Sequence, residues 1–269
     1  MRGLTLFFIL IFFAQHANAD PSTLPQKKFE WGAGLLSIYG NHYRGSDQGK
    51  SWILPVPYFT YNSERIEADS SFIRGIFAHN KWFAFKLSLL LGLKVESKQN
   101  RAREGMPGLD YTIEAGPMVV FHLWQSEDKD LLVNFEVPAR ESFATNLHYL
   151  KQVGFFTVPY INVIHSPTPS TWNWNSEFSV SPMFADQKFH QYFYGVDQQY
   201  VRADRPFYHA RGGYSGFQTS LIMNKRVGHF AIIPFFRWDY LKKAVFEDSP
   251  LVKVKNYLIG GLGLFYMFD

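Results

Sequence analysis

Hydrolysis by a nucleophilic serine needs a histidine within hydrogen-bond reach of the hydroxyl and a third group to hold the imidazole. Nine histidines are scattered over 269 residues. His165 alone has a serine beside it, Ser166, in the Pro-rich stretch VIHSPTPS. Neighbouring residues on an extended chain point to opposite sides, so this pair does not form the nucleophile–base bond by itself. The histidines show no H-E-x-x-H or similar ligand spacing. Without cysteine there is no thiolate chemistry and no disulfide framework. Gly261-x-Gly263 lies in an extended run with no helix after it, which reads as strand glycine rather than a dinucleotide loop. No catalytic residue, cofactor site or metal ligand emerges, and no enzyme is expected.

What remains chemically suggestive is a set of charges placed at every second position. Lys86, Glu114, Glu136 and Glu177 alternate with apolar neighbours, as do Glu67, Asp69, Lys94, Asp110, Arg140, Arg237 and Asp239. If these segments are strands of a barrel, the charges point into its lumen. Two readings stay open there: a plug of paired charges, or the lining of a selective path.

The elements that would position them are legible by period. From Phe83 to Val95 every odd position is apolar, while the even positions include Lys86, Ser88, Gly92 and Lys94. Residues 109–123 and 172–180 repeat the alternation. Period two over this length is a strand signal, and the strands exceed those of common soluble sheets. The last run, Tyr257–Phe268, puts Leu262, Leu264, Tyr266 and Phe268 on one face and Gly261 and Gly263 on the other. An apolar, aromatic-ended outer face suits lipid and headgroups.

The beginning of the chain agrees. Arg2 precedes the apolar run Leu4–Ala14, which is too short to span a bilayer, and Ala17-Asn18-Ala19 offers a small-x-small cleavage site. The expectation is a signal peptide over 1–19 and a barrel domain over 20–269. No later stretch reaches eighteen apolar residues, so transmembrane helices are not expected. Aromatic residues make up 18% of the chain, as lipid-interface girdles require. A net charge of +4 without a dense Lys/Arg run suits anionic headgroups better than nucleic acid.

The pattern predicts strands near 29–40, 52–61, 65–77, 81–96, 109–124, 130–143, 149–164, 171–183, 213–224, 229–241 and 257–268. His190–Val196 supplies one more. The fold expected is an all-β, transmembrane, antiparallel up-and-down β-barrel of about twelve strands, with ten as the alternative. Both termini then face the periplasm. That parity puts Ser97–Gly108 on the periplasmic side, with Lys98, Arg101 and Arg103 as a candidate partner-contact turn. It puts 41–51, 198–212 and 242–256 outside, where Arg44, Arg202, Arg205 and Arg211 can meet lipopolysaccharide phosphates.

Several stretches together resemble the MipA/OmpV family of outer-membrane proteins. They are Pro55–Phe59, Gly108–Gly116, Ser181–Val196, the turn Asp248-Ser249-Pro250 with Leu251-Val252, and the ending Gly260–Phe268. The resemblance runs from about Trp31 to Phe268, although Asp269 follows the terminal aromatic that usually ends the family. It implies a Gram-negative outer-membrane scaffold linking murein hydrolases and synthases. A lytic transglycosylase and a penicillin-binding protein would be the partners. Family members treated as porin-like channels or adhesins keep those activities open.

Overall fold

The computed structural model describes residues 28–62, 66–69, 72–79, 82–167 and 174–268. The expected signal segment, Trp172, Asn173 and Asp269 lie outside the described residues, as do the side chains of Glu67 and Asp69. The strands are β1 (Lys28–Asn41), β2 (Gly49–Asn62), β3 (Ile66–Asp69), β4 (Phe72–His79), β5 (Phe83–Gly92), β6 (Tyr111–Gln125) and β7 (Leu131–Thr145). They continue as β8 (Leu150–Thr157), β9 (Tyr160–His165), β10 (Asn175–Ala185), β11 (Gly213–Val227), β12 (Phe230–Tyr240) and β13 (Asn256–Phe268). Among the described residues one α-helix, α1 (Gln187–Tyr194), lies between β10 and β11.

All pairings are antiparallel. β1 joins β13 in register from Trp31↔Phe268 to Gly40↔Ile259. β10 joins β11, from Asn175↔Asn224 to Ala185↔Gly213. These contacts close the sheet into a ring, thinnest where β3 meets β2 over Thr60–Asn62 and β4 meets β5 over Ala84–Lys86. β8 and β9 lie end to end along β7, which pairs Arg140 with Phe156 and Glu136 with Tyr160. They fill one place in the ring, broken at Val158-Pro159 because proline has no N–H for the ladder. Among the described residues no helix is long and apolar enough to cross a membrane.

Two sequence expectations fail here. His190–Val196 is not a strand: its first residues lie within α1, capped by Asp186, whose carboxylate accepts from the Phe189 N–H at 2.8 Å. Residues 65–77 form not one strand but the hairpin β3–β4, paired from Ile66↔Gly75 to Asp69↔Phe72. That extra reversal flips the direction of every following strand up to α1. Ser97–Gly108 therefore lies at the end opposite Lys28 and Phe268, together with the loop after β1: Arg101 reaches Asp47 at 3.0 Å.

The alternation is realised as an inside and an outside. Trp31, Leu35, Ile53, Phe85, Phe121, Phe236 and Leu264 face outward and are exposed, Ile53 to 73%. Each such side chain gains roughly 1.5–3 kcal/mol when covered by an apolar medium. An apolar belt around a closed sheet is the solution that lipid demands. Aromatics gather at both rims, with Trp31 against Phe268 at 4.5 Å at one and Trp238 against Tyr240 at 5.6 Å at the other. Inside, Leu36, Ile38, Val56, Tyr58, Ile233, Phe265 and Met267 form an apolar cluster over β1, β2, β12 and β13. Gly261 makes room there: a Cβ would strike the Phe235 ring and the Ser37 carbonyl.

A second glycine sets the cap. Gly154 has φ +131° at a bulge where β8 slips against β7, and a Cβ there would overlap the Phe189 amide nitrogen and the Asp186 carboxylate. Gly154→Val is expected to lift the first turn of α1 off the barrel. Limited proteolysis should then cut near residues 186–195 while the heat-resistant folded barrel band persists on gels. Wild-type protection in that variant would show that α1 does not depend on this approach.

Candidate functional site

The lumen is lined where the strand period places polar residues inward. Lys86, Glu114, Glu136, Arg140 and Asp239 are buried and face the interior, and Glu177 is half-buried there. Lys94 and Asp110 fall outside the strands, at the loop-rich rim, so their expected lumen position is corrected. Alternation continues past the last ladder pair in the sequence but not in space.

The inward groups form two networks. Asn162 Nδ2 donates to Glu136 Oε1 at 3.0 Å and to Glu177 Oε1 at 2.7 Å, and the Tyr160 hydroxyl donates to Glu136 Oε2 at 2.7 Å. Arg237 holds Asp239 with two parallel bonds, Nε at 2.8 Å and Nη2 at 2.7 Å. Arg44, from the loop after β1, adds its Nε at 3.3 Å from the same carboxylate. Glu114 lies in the field of Arg140, Arg237 and Arg44. Arg140 Nε also donates to Ser88 Oγ at 2.8 Å. Charges held this way in a low-dielectric interior are paired within β12 or tie neighbouring strands together, and Arg44 ties the loop after β1 to β12.

Among the described residues one rim carries short turns, such as Ser126–Asp130 between β6 and β7. The other is covered by an interlocked cap made of residues 42–48, 93–110, 186–212 and 241–255. Its apolar centre is Tyr43, Leu109, Tyr194, Leu241 and Phe246, with Tyr194 stacked on Phe246 at 3.7 Å. The Tyr43 hydroxyl donates to the Leu251 carbonyl at 2.7 Å, and burial pushes its pKa up. Asn100 Nδ2 donates to Ser46 Oγ at 2.9 Å.

The candidate turn is divided by this cap. Lys98 and Arg101 are exposed, but Arg103 is only 3% exposed. Its guanidinium donates to the Phe193 carbonyl at 2.8 Å and the Pro107 carbonyl at 3.3 Å and lies over the Tyr43 ring. Burial lowers its pKa. Arg103 is thus a pin inside the cap and not part of a solvated basic surface. The sequence reading missed this because two of its partners, Tyr43 and Phe193, lie 60 and 90 residues away.

A serine–histidine contact exists, between residues that are 25 apart in sequence. His190 Nε2 lies 2.6 Å from Ser215 Oγ, and Nδ1 lies 2.6 Å from the Arg211 carbonyl. The carbonyl accepts from Nδ1–H, which leaves Nε2 as the acceptor of the Ser215 hydroxyl. Both residues are fully buried, and the ring is wedged against Phe246 at 4.7 Å. The contact ties α1 to β11 as a latch. His165, by contrast, is exposed at the short-turn rim, paired with Leu131 and Ser176 across the ladders.

The sequence model of the family described as MltA-interacting protein MipA matches residues 33–268. No curated protein matches the chain. Among solved structures it is similar to OprB of Pseudomonas putida, at 10% identity and TM-score 0.39, covering 79% of this chain and 58% of that one. The NanC porin (9% identity, TM-score 0.33) covers 88% of this chain and 98% of that one. The outer membrane phospholipase A of Escherichia coli (9%, 0.33) covers 87% and 92%. The chain spans less than two thirds of the OprB length, and likenesses this distant carry no argument about activity.

Proposed function

Because the chain belongs to the MltA-interacting protein MipA family, we propose that it is a closed outer-membrane barrel serving as a scaffold for murein enzymes. Its place is the outer membrane of a Gram-negative bacterium. One observation supports the scaffold reading over a channel: among the described residues, apolar and charged side chains crowd the interior and a folded cap covers one rim. The apolar cluster lies over β1, β2, β12 and β13, the Glu136 network over β7, β9 and β10, the Arg237–Asp239 pair further along β12, and the cap covers the rim above. Counting β8 and β9 as one stave gives twelve positions in the ring, which puts both termini on one side. Short turns belong to the periplasmic side and long loops to the outside, so the cap faces out and Lys28 and Phe268 face the periplasm. Residues 1–19 then serve as the cleaved leader.

The partner is an MltA-type lytic transglycosylase, with a penicillin-binding protein completing the assembly. Since the turn bearing Lys98 and Arg101 lies on the outward cap, contact with periplasmic enzymes falls to the short turns at the terminal rim. Crosslinked envelopes should yield both murein enzyme types on capture of this protein. Arg101→Glu should leave that capture unchanged. Absence of both enzymes would remove the scaffold reading. In planar bilayers the purified protein should show no large stepwise conductance at neutral pH, and a stable open level would promote the channel.

A further inference from the structure

Three cap segments distant in sequence enclose a cavity of about 230 Å³ lined by Arg101, Ala102, Arg202, Asp204, Arg205 and Lys253. Four of the six are cations and one is an acid. Arg202 and Arg205 come from a tight turn closed by reciprocal backbone bonds, 2.9 Å from Arg202 N–H to the Arg205 carbonyl and 3.1 Å in return. Lys253 is fixed alongside, because its own amide donates to the Gly45 carbonyl at 2.7 Å.

Arg205 is 4% exposed. Its Nε donates to the Tyr200 carbonyl at 2.9 Å, and Nη1 donates to the carbonyls of Ala102 at 3.0 Å and Glu104 at 2.9 Å. These bonds orient the guanidinium plane at the cavity wall and use Nε and Nη1, with no protein acceptor on Nη2 among the described residues. Arg202 beside it adds like charge; burial first and Arg202 second lower the Arg205 pKa. The compensating pairs are weak ones at the surface: Arg202 with Glu104 at 3.5 Å and Arg101 with Asp47 at 3.0 Å. Lys253 is exposed and has no ion pair among the described residues.

A buried, pre-oriented guanidinium beside exposed cations is the arrangement that takes a dianion with several acceptor oxygens. At about 30 Å³ per water, the cavity of about 230 Å³ has room for about eight waters, enough for a phosphate and part of its carrier. We propose that this cavity binds a phosphate monoester on the outward face of the barrel. Lipid-borne sugar phosphates of the outer leaflet and soluble sugar phosphates share that chemistry. The site is independent of the scaffold reading.

Full-length mature protein in detergent micelles would be titrated calorimetrically with glucose 1-phosphate. The same protein in nanodiscs would be compared with phosphorylated and dephosphorylated lipid A. Arg202→Glu and Lys253→Glu, both at the cavity mouth, should each weaken phosphate-dependent binding at least tenfold while the heat-resistant barrel band is unchanged. Binding of glucose 1-phosphate supports a soluble source, and binding of phosphorylated lipid A alone supports the lipid source. Equal binding of dephosphorylated lipid A, no phosphate-dependent binding in either arm, or full affinity in both variants overturns the site.

Discussion

Asp239→Ala is expected to lower the stability of the barrel by about 3–5 kcal/mol, the usual cost of stripping one partner from a buried ion pair. The carboxylate has no exposure and takes two parallel bonds from Arg237 and a third contact from Arg44. Without it, two guanidiniums face each other inside the lumen, with Glu114 the remaining acid in their field. Urea unfolding of refolded protein, followed by tryptophan fluorescence, would read the loss directly. The temperature at which the compact gel band disappears should fall with it. Replacing both Asp239 and Arg237 by Leu should cost less than Asp239→Leu alone, because one of the two stranded guanidiniums leaves too and only Arg44 remains. A loss under about 1 kcal/mol would mean that the two guanidiniums are hydrated at that height. That result would also count against the filled-interior reading and towards the channel.

How much of this was legible in the sequence depends on the range of the interaction. Period-two alternation is fixed by which side of a wall each residue meets. Hence the faces of β13 and β5, with Gly261 inward and Phe85 outward, follow from a single segment. Lys86, Glu114 and Glu136 point inward for the same reason. A four-residue strand such as β3 is too short to display a period, so residues 65–77 read as one strand. A single missed reversal then moved Ser97–Gly108 to the wrong rim. Strand parity is a global property, and one local error inverts it.

The helix α1 shows a different limit. Tyr192, Phe193 and Tyr194 favour strands by propensity, which tertiary context overrode. The competing signal was in the sequence: Asp186 as an N-cap, followed by Phe189, His190, Phe193 and Tyr194 at helical spacing. Long-range partnerships carried no such signal. Nothing near Arg103 names the Phe193 carbonyl, and nothing near Arg44 names Asp239. The cavity of Arg101, Arg205 and Lys253 likewise exists only once three loops have folded onto one another.

The latch at His190 should make the cap acid-sensitive. Its pKa falls from 6.5 to about 4 in the folded cap, chiefly because burial penalises the imidazolium. Arg44 lowers it further, while the Arg211 carbonyl and Asp186 oppose the shift. Tyr194 and Phe246, which also pack on the ring, bring no charge at these pH values. A folded pKa below the unfolded one means that the opened cap binds the extra proton. The latch's contribution is therefore complete above pH 6.5 and is lost as pH falls towards 4, amounting to roughly 3 kcal/mol in full. Amide exchange over residues 187–212 should accelerate between pH 7 and pH 4.5, after correction for intrinsic rates, while β1 and β13 stay protected. His190→Phe keeps the ring's volume but cannot be protonated, and it should flatten that dependence. If the variant and the wild type accelerate alike, another group opens the cap. If His190 is the switch, acid also removes the seal on the outward rim. Any conductance through this barrel should then appear first below pH 5, and in the wild type rather than in His190→Phe.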